Sequence, residues 1–322
     1  MRRMMRYVVA ALLASAFHSA LGQNDYPTKS VRLIVPFAPG GGTDIVARLL
    51  AQKLTESFGQ TVIVDNRAGG GGAMGVEITV RATPDGYTAI TMSGSYATNA
   101  AIYKLSYDPV RDIQPMGMIG DTAFVVALHP GVPLKSIAEL VAYAKAKPGA
   151  LNYGSSGNGS IAHLCGELFD LLAHTRMTHV AYKGTGPALN DLLAGQIQLI
   201  FGSAPPTIPL VRANRLRAIA VTTSKRSPAL SDLPTVAEGG VPGYEVVLWY
   251  GVLGPKGLPK NLVERWNREI RKATKLPDMK ERLVSEGFAI DDSPPEVFQA
   301  VLKRDVEKWR RVVTEARVRE IR

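Results

Sequence analysis

Residues 31–44 read VRLIVPFAPGGGTD, in which an apolar run ends at a proline and a glycine run leads to Thr43 and Asp44. The apolar run predicts a buried strand, and Thr43 predicts the N-cap of a helix that continues to about Phe58. Glycine lets a backbone approach a ligand closely, and the free N–H groups at a helix start attract anions. The stretch therefore predicts a strand–loop–helix unit whose loop can bind an anion.

Two further loops rich in glycine and hydroxyl side chains lie between a predicted strand and a predicted helix. They are residues 154–160 (GSSGNGS) and residues 182–187 (YKGTGP). One such loop alone is more often a tight turn than a binding site, whereas three at equivalent positions favour a shared site. Such loops meet at the carboxyl ends of parallel strands, where open α/β sheets bind ligands. Their hydroxyl groups add orientable donors, which suit a carboxylate better than a cation or a sugar.

Short β-branched segments alternate with helical segments along the chain, a pattern typical of βαβ units. A second block of this kind begins with a predicted strand at residues 124–128, and helices return after a Pro/Gly-rich stretch that follows Thr222. We therefore predict an α/β fold with two parallel-sheet lobes. The first lobe comprises residues 23–123 and 224–322, and the second comprises residues 124–223, so that two chain crossings form a hinge.

The N-terminus has the pattern of an export signal. Arg2, Arg3 and Arg6 precede an apolar run at residues 7–17, which is shorter than the roughly 20 residues needed to span a bilayer. Small residues at Ala20 and Gly22 then predict a signal-peptidase site, so the exported chain begins near residue 23. The pair of arginines leaves twin-arginine export as a minor alternative.

The charge favours anionic ligands without indicating a nucleic-acid partner. The formal net charge is +10, or about +7 without the three arginines of the leader, and this field attracts anions. Basic residues are spread along the chain with only a modest cluster in residues 310–322, which excludes a nucleic-acid site. The single cysteine, Cys165, excludes an intramolecular disulfide and is predicted to be a buried helix residue.

Motifs for cofactors and metals are absent or incomplete in the sequence. Residues 70–75 fit the G-x-G-x-x-G spacing of a dinucleotide site, but Ser95 stands where an acidic residue is required. No glycine run is followed by the Lys-Ser/Thr pair of a P-loop, and the histidines lack metal-ligand spacing. We therefore predict no cofactor and no metal.

An exported hydrolase is the alternative from a different functional class. It would use Ser156 or Ser160 with His163, which the spacing places in the first turn of a helix, facing the cleft or its rim. Ser156 does not fit the G-x-S-x-G pattern because Asn158 takes the last glycine position. Nothing recognisable orients the histidine, so an enzyme is disfavoured.

Several segments together resemble the Bug family, the periplasmic receptors of tripartite tricarboxylate transporters (TctC-like). The segments are residues 31–44, Asp65-Asn-Arg-Ala-Gly69, Pro84-Asp-Gly-Tyr87, Tyr107-Asp-Pro109, residues 151–157, Tyr182-Lys-Gly184, Leu233-Pro-Thr-Val-Ala-Glu238 and Pro242-Gly-Tyr244. The resemblance implies a type II-like, two-lobed periplasmic-binding-protein fold that closes on a small carboxylate. It also implies delivery of that ligand to a membrane transporter, with a sensor kinase as the alternative partner. Because closure needs no second subunit, we expect a monomer.

The resemblance implies ligand-binding residues in both lobes. The implied residues are Phe37, Ala38, Pro39, Gly40, Gly41, Thr43, Asp44, Ser93, Ser95, Ser155, Ser156, Gly159, Ser160, His163, Tyr182, Gly184, Thr185, Gly202 and Ser203. Many relatives read Phe-Asp-Asn where this chain has Phe201-Gly202-Ser203, so a carboxylate that could meet a ligand amine is missing. This departure favours a mono-, di- or tricarboxylic acid over an amino acid. Trp249 and Tyr250 belong either to the cleft near the hinge or to the core.

Overall fold

The computed structural model describes residues 26–315, so the predicted signal peptide, its cleavage site and the end of the basic C-terminal cluster lie outside the described residues. The strands are β1 (Val31–Val35), β2 (Val62–Asn66), β3 (Thr88–Ser93), β4 (Ile113–Leu128), β5 (Asn152–Ser155), β6 (Thr178–Ala181), β7 (Leu199–Ser203), β8 (Arg217–Val221), β9 (Val247–Pro255) and β10 (Ala289–Ile290). The helices are α1 (Gly42–Phe58), α2 (Ala73–Val80), α3 (Ser95–Ile102), α4 (Ile137–Ala146), α5 (Ile161–Ala173), α6 (Thr185–Leu193), α7 (Ala204–Arg212), α8 (Lys260–Lys275), α9 (Pro277–Ser285) and α10 (Pro295–Glu315).

The strands form one mixed sheet in the order β2-β1-β3-β9-β4-β7-β5-β6. Strands β1, β2 and β3 are parallel to one another, as are β5, β6 and β7. Strands β9 and β4 run antiparallel between these two groups and join them. The predicted α/β class with two lobes is confirmed, and the sheets are mixed because the joining strands run against the parallel groups.

The long strand β4 belongs to both halves of the molecule. Its residues 113–123 pair with β9, whereas residues 124–128 pair with β7 and β8. We call the half built on β1–β3, β9 and β10 the first lobe, and the half built on β5–β8 the second lobe. Thr222 links the places where the chain passes between the lobes. Its hydroxyl accepts from the Phe124 N–H (2.8 Å) and donates to the Val246 carbonyl (2.8 Å).

The stretch after β8 contacts the second lobe at two places. Thr235 pairs with Val221, and the Tyr244 hydroxyl donates to the Cys165 carbonyl at 3.1 Å. The sequence-based boundary at residue 223 stays a prediction, and these contacts favour placing the return crossing later, next to Val246.

Aromatic side chains anchor the core of each lobe. In the first lobe Phe58 meets Trp266 edge to face with ring centroids 5.2 Å apart. In the second lobe Phe169 packs against both Phe201 and Tyr244. Cys165 is buried in α5 as predicted. Within residues 26–315, no helix combines the length and the apolar character needed to cross a membrane.

Two helices have serine N-caps, whereas the N-cap predicted at Thr43 is wrong. Ser136 accepts from the Glu139 N–H, and Ser160 accepts from the His163 N–H, so both are N-caps. Thr43 is not a cap: α1 begins one residue earlier, and Gly41 is its N-cap without a side-chain hydrogen bond. The glycine run itself therefore reaches the helix, which leaves the first N–H groups of α1 unobstructed by a side chain.

Helix α7, strand β9 and helix α3 are among the elements that were not predicted from the sequence. Helix α7 carries prolines at its start and within it, and β9 contains two glycines and is buried along nearly its whole length. Prolines are tolerated in the first helical turn, and a strand buried on both faces lacks the alternation that identifies strands. Helix α3 is short and almost fully buried, so it shows little amphipathic pattern.

Candidate functional site

A cavity lies where the two lobes meet. Residues from both lobes and from the joining strands line it. They are Phe37, Gly41, Gly42, Thr43, Ser93, Ser95, Phe124, Ser156, Ile161, Thr185, Ser203, Leu248 and Tyr250.

Five helices begin at this cavity. Gly42, Ser95, Ile161 and Thr185 are the first residues of α1, α3, α5 and α6, and Ser203 is the N-cap of α7. The first N–H groups of a helix have no partner within the helix, and the aligned peptide dipoles place about half a positive charge there. The cavity therefore has the electrostatics of an anion site without using a lysine or an arginine.

The side chains of the lining are neutral. Of the residues that line the cavity, seven carry a hydroxyl group, four are apolar and none is charged. The Ser203 hydroxyl is buried and lies beside the Tyr250 hydroxyl. Burial raises the pKa of Tyr250, so its hydroxyl stays protonated and can donate. Such a lining offers many donors to a ligand and no negative charge to repel an anion.

Eight of the predicted site residues line the cavity. They are Phe37, Gly41, Thr43, Ser93, Ser95, Ser156, Thr185 and Ser203. The other eleven are not among the lining residues, and their contacts show what they do.

Asp44 holds the first loop in shape. Its carboxylate accepts from the Gly40 N–H (3.0 Å) and from the Asn66 amide (2.9 Å), and it pairs with Arg48. Burial opposes ionisation, but these hydrogen bonds outweigh it and hold the pKa of Asp44 below its usual value. The carboxylate thus fixes the glycine loop from outside the cavity.

The first loop and the loop before α6 touch through their backbones. The Ala38 N–H donates to the Lys183 carbonyl at 2.8 Å, and a Cβ added at Gly184 would lie 3.0 Å from the Ala38 nitrogen. Gly40 and Pro39 lie against Gly186 in the same contact. These residues bring the lobes together and do not line the cavity.

Tyr182 and Gly202 make contacts within the second lobe and do not line the cavity. The Tyr182 hydroxyl donates to Asp191 at 2.7 Å within the second lobe. Next to Gly202, the space for a side chain is taken by Thr207, whose hydroxyl would lie 2.4 Å from an added Cβ.

The second loop is held by a histidine pair behind it. Ser155 is hydrogen-bonded to His179 (2.6 Å), and the His163 and His179 rings stack with centroids 4.0 Å apart. His163 Nδ1 accepts from the Gly159 N–H at 3.3 Å, and the Ser160 hydroxyl caps α5. His163 therefore faces the interior of the second lobe, and its predicted orientation towards the cleft was wrong.

Neither Ser155 nor Ser160 is placed to act as a catalytic serine. The Ser160 hydroxyl meets the backbone N–H of His163 rather than its ring. Ser155 does meet a histidine ring, but it has no exposed surface with which to reach a substrate. The histidine pair is therefore a structural support for the loop.

The buried pair of His163 and His179 makes the free energy of unfolding depend on pH. Burial and the neighbouring His163 lower the pKa of His179 to about 3. A histidine in the unfolded chain titrates near pH 6.5, so between about pH 6.5 and 3 the unfolded state binds a proton that the folded state does not. We expect stability to fall as pH falls through this range, by up to about 1.4 kcal/mol per pH unit.

Thermal unfolding of wild type and His179→Asn between pH 4 and 7 measures this effect. The variant should lose part of the pH dependence, whereas His174→Asn, at an exposed left-handed position at the end of α5, should keep it. An identical pH profile for wild type and His179→Asn would contradict the assignment.

The residue-level prediction missed much of the apolar lining. Phe124 and Leu248 lie where the joining strands cross between the lobes, and no motif in the sequence marks them. Tyr250 lines the cavity, whereas Trp249 packs against Phe298 and donates to Asp305 at 2.9 Å. The apolar start of α5 at Ile161 was also missed.

The chain is similar to known receptors along most of its length. The model of the family described as "Tripartite tricarboxylate transporter family receptor" matches residues 46–318. Among solved structures, Rpa4515 of R. palustris with adipate is 37% identical with a TM-score of 0.86, covering 90% of this chain and 98% of that one. The periplasmic binding protein BugD is 35% identical with a TM-score of 0.88, covering 91% and 99%. MatC of Rhodopseudomonas palustris with bound malate is 29% identical with a TM-score of 0.86, covering 89% and 100%.

Proposed function

The chain belongs to the tripartite tricarboxylate transporter family of receptors, and on this premise we propose that it captures a small carboxylate between its two lobes. The family is one of solute-binding receptors, so the chain is a binding protein and not an enzyme. The periplasmic-binding-protein fold and the family resemblance predicted from the sequence are both confirmed.

The observation that carries the proposal is the meeting of five helix starts at a cavity without a charged side chain in its lining. A negative charge near one helix N-terminus gains roughly 0.3–1 kcal/mol at exposed sites and up to about 2 kcal/mol when partly buried. Several such termini acting together, with hydroxyl donors between them, can replace the hydration of a carboxylate. The similar structures with adipate and malate support the same class of ligand.

An amino acid fits this lining poorly. Its ammonium group would be buried with no carboxylate to pair with, because the residues around the described cavity include no aspartate or glutamate. Burying an unpaired charge is strongly unfavourable. The ligand is therefore a mono-, di- or tricarboxylic acid without a cationic group.

The family assignment supports a role in transport. In this proposal the exported receptor, with its leader removed near Gly22, acts as a monomer in the periplasm. It delivers the bound acid to the membrane subunits of a tripartite transporter. Co-purification of the loaded receptor with those subunits tests this step.

A thermal-shift panel tests ligand binding. Refolded, ligand-stripped protein lacking residues 1–22 is heated with adipate, malate, citrate, amino acids, sugars and uncharged amides. At one hundred times its dissociation constant, a ligand that binds only the folded state adds about 2.7 kcal/mol to stability. We expect a concentration-dependent rise with at least one acid, and a response confined to uncharged or cationic compounds would contradict the proposal.

A further inference from the structure

The two lobes also meet at a second zone, where a Cβ added at Gly157 would lie 3.2 Å from the Gly71 Cα. Here side chains of the first lobe reach the backbone of residues 158–161 in the second lobe. The Thr98 hydroxyl donates to the Gly159 carbonyl at 2.7 Å, and the Asn99 amide donates to the same oxygen at 3.0 Å. The Tyr103 hydroxyl donates to the Asn158 carbonyl at 2.9 Å.

Asn99 lies at the centre of this zone. It is fully buried, and its amide also donates to the Gly71 carbonyl at 3.3 Å, so one side chain holds loops from both lobes. The lobes approach so closely that a Cβ added at Gly71 would lie 2.3 Å from the Asn158 carbonyl oxygen. Gly71 also has a φ of 57°, which favours glycine.

The loop held in this way is part of the ligand site. Ser156 precedes it and Ile161 ends it, and both line the cavity. The Ile161 N–H donates to the Ser95 hydroxyl at 3.1 Å, which seats the start of α5 against the first lobe. Thr98, Asn99 and Tyr103 themselves are not among the residues that line the cavity.

We propose that Thr98, Asn99 and Tyr103 form a latch that holds residues 158–161 onto the first lobe and sets how long the ligand stays bound. This inference rests on the proposed function, because it concerns the closed state of the same receptor. The latch hydrogen bonds exist only when the lobes meet, so they stabilise the closed form and not the open one. The three residues are positioning residues, which act on the ligand through the loop.

Stopped-flow dissociation of Thr98→Val and Tyr103→Phe tests the latch. Each substitution removes one hydroxyl and little volume. We expect the dissociation rate to rise about fivefold for each variant and roughly 25-fold for the double variant, as for the loss of one or two ordinary hydrogen bonds. The melting temperature of ligand-free Tyr103→Phe should not change, because the open form lacks its bond to Asn158, whereas the Thr98 hydroxyl also donates to the Ser95 carbonyl within the first lobe.

Two control variants remove hydroxyls that bond within one lobe. Thr178→Val removes a hydrogen bond to the Gly149 carbonyl in the second lobe, and Tyr87→Phe removes one with Thr28 in the first lobe. Both should dissociate at the wild-type rate.

The probe is whichever of adipate, malate and citrate stabilises the wild type most. Wild-type dissociation rates in the latch variants would overturn the latch while leaving the receptor function intact. A fall in the ligand-free melting temperature without a change in dissociation would likewise overturn it, since the residues would then only support the fold. If none of the three acids binds the wild type, both the latch and the proposed function fail.

Discussion

Replacing Ser203 with aspartate is expected to abolish carboxylate binding while leaving the protein folded. Ser203 is buried at the cavity and stands at the N-cap of α7, where an aspartate is a favourable residue. The new carboxylate would occupy the anion site itself, facing the helix starts that otherwise bind the ligand. Two negative charges about 4 Å apart repel by about 4 kcal/mol at an effective dielectric constant near 20, which is roughly a thousandfold in affinity.

Ser203→Asn is the matched control because asparagine has nearly the same size as aspartate but carries no charge. We expect it to weaken binding far less than the aspartate does in the same calorimetric titration. Equal losses in the two variants would mean that volume rather than charge governs the site, which would contradict the electrostatic account.

Gly42→Ala is expected to have the second-largest effect, a loss of up to about a hundredfold in affinity. A Cβ at this position would lie 2.3 Å from the Tyr250 hydroxyl oxygen and 2.8 Å from the Ser203 hydroxyl oxygen. Both side chains would have to move within the cavity, and overpacking of this kind costs about 1–3 kcal/mol. Alanine is a better helix former than glycine, so α1 itself should not be weakened.

The double variant Gly42→Ala with Tyr250→Phe separates crowding from other causes. Removing the Tyr250 hydroxyl takes away the atom nearest to the new Cβ. The double variant should therefore bind the ligand about tenfold more tightly than Gly42→Ala does. The single variant Tyr250→Phe measures how much affinity is lost when the Tyr250 hydroxyl is removed as a donor. If Gly42→Ala binds as tightly as the wild type, the close approach of this glycine to the cavity wall is not needed for function.

The fold could be predicted from the sequence where local signals agree. The strand at residues 31–35 and the serine caps of α4 and α5 follow from apolar runs and N-cap chemistry, which act over a few residues. The three glycine and hydroxyl-rich loops could be recognised for the same reason, and each supplies at least one residue to the cavity.

The remaining parts of the site depend on contacts between distant segments. Phe124 and Leu248 reach the cavity because β4 and β9 pair across the junction of the lobes, which no local pattern shows. Asp44 was implied by the family resemblance and His163 was placed by helix spacing, yet Asp44 accepts a hydrogen bond from Asn66 and His163 accepts one from Gly159, so both support the loops. Helix α3, which carries two of the three latch residues, is too buried and short to show amphipathic periodicity.

The most direct test of the central claim is a calorimetric titration of the ligand-stripped protein with the preferred acid of the panel and with its amide. The two compounds have almost the same shape, and only the acid carries negative charge to place at the five helix starts. We predict saturable binding of one acid molecule per protein and an affinity for the amide that is lower by at least about a hundredfold. Equal affinities for the acid and the amide would contradict the account of the cavity as an anion site.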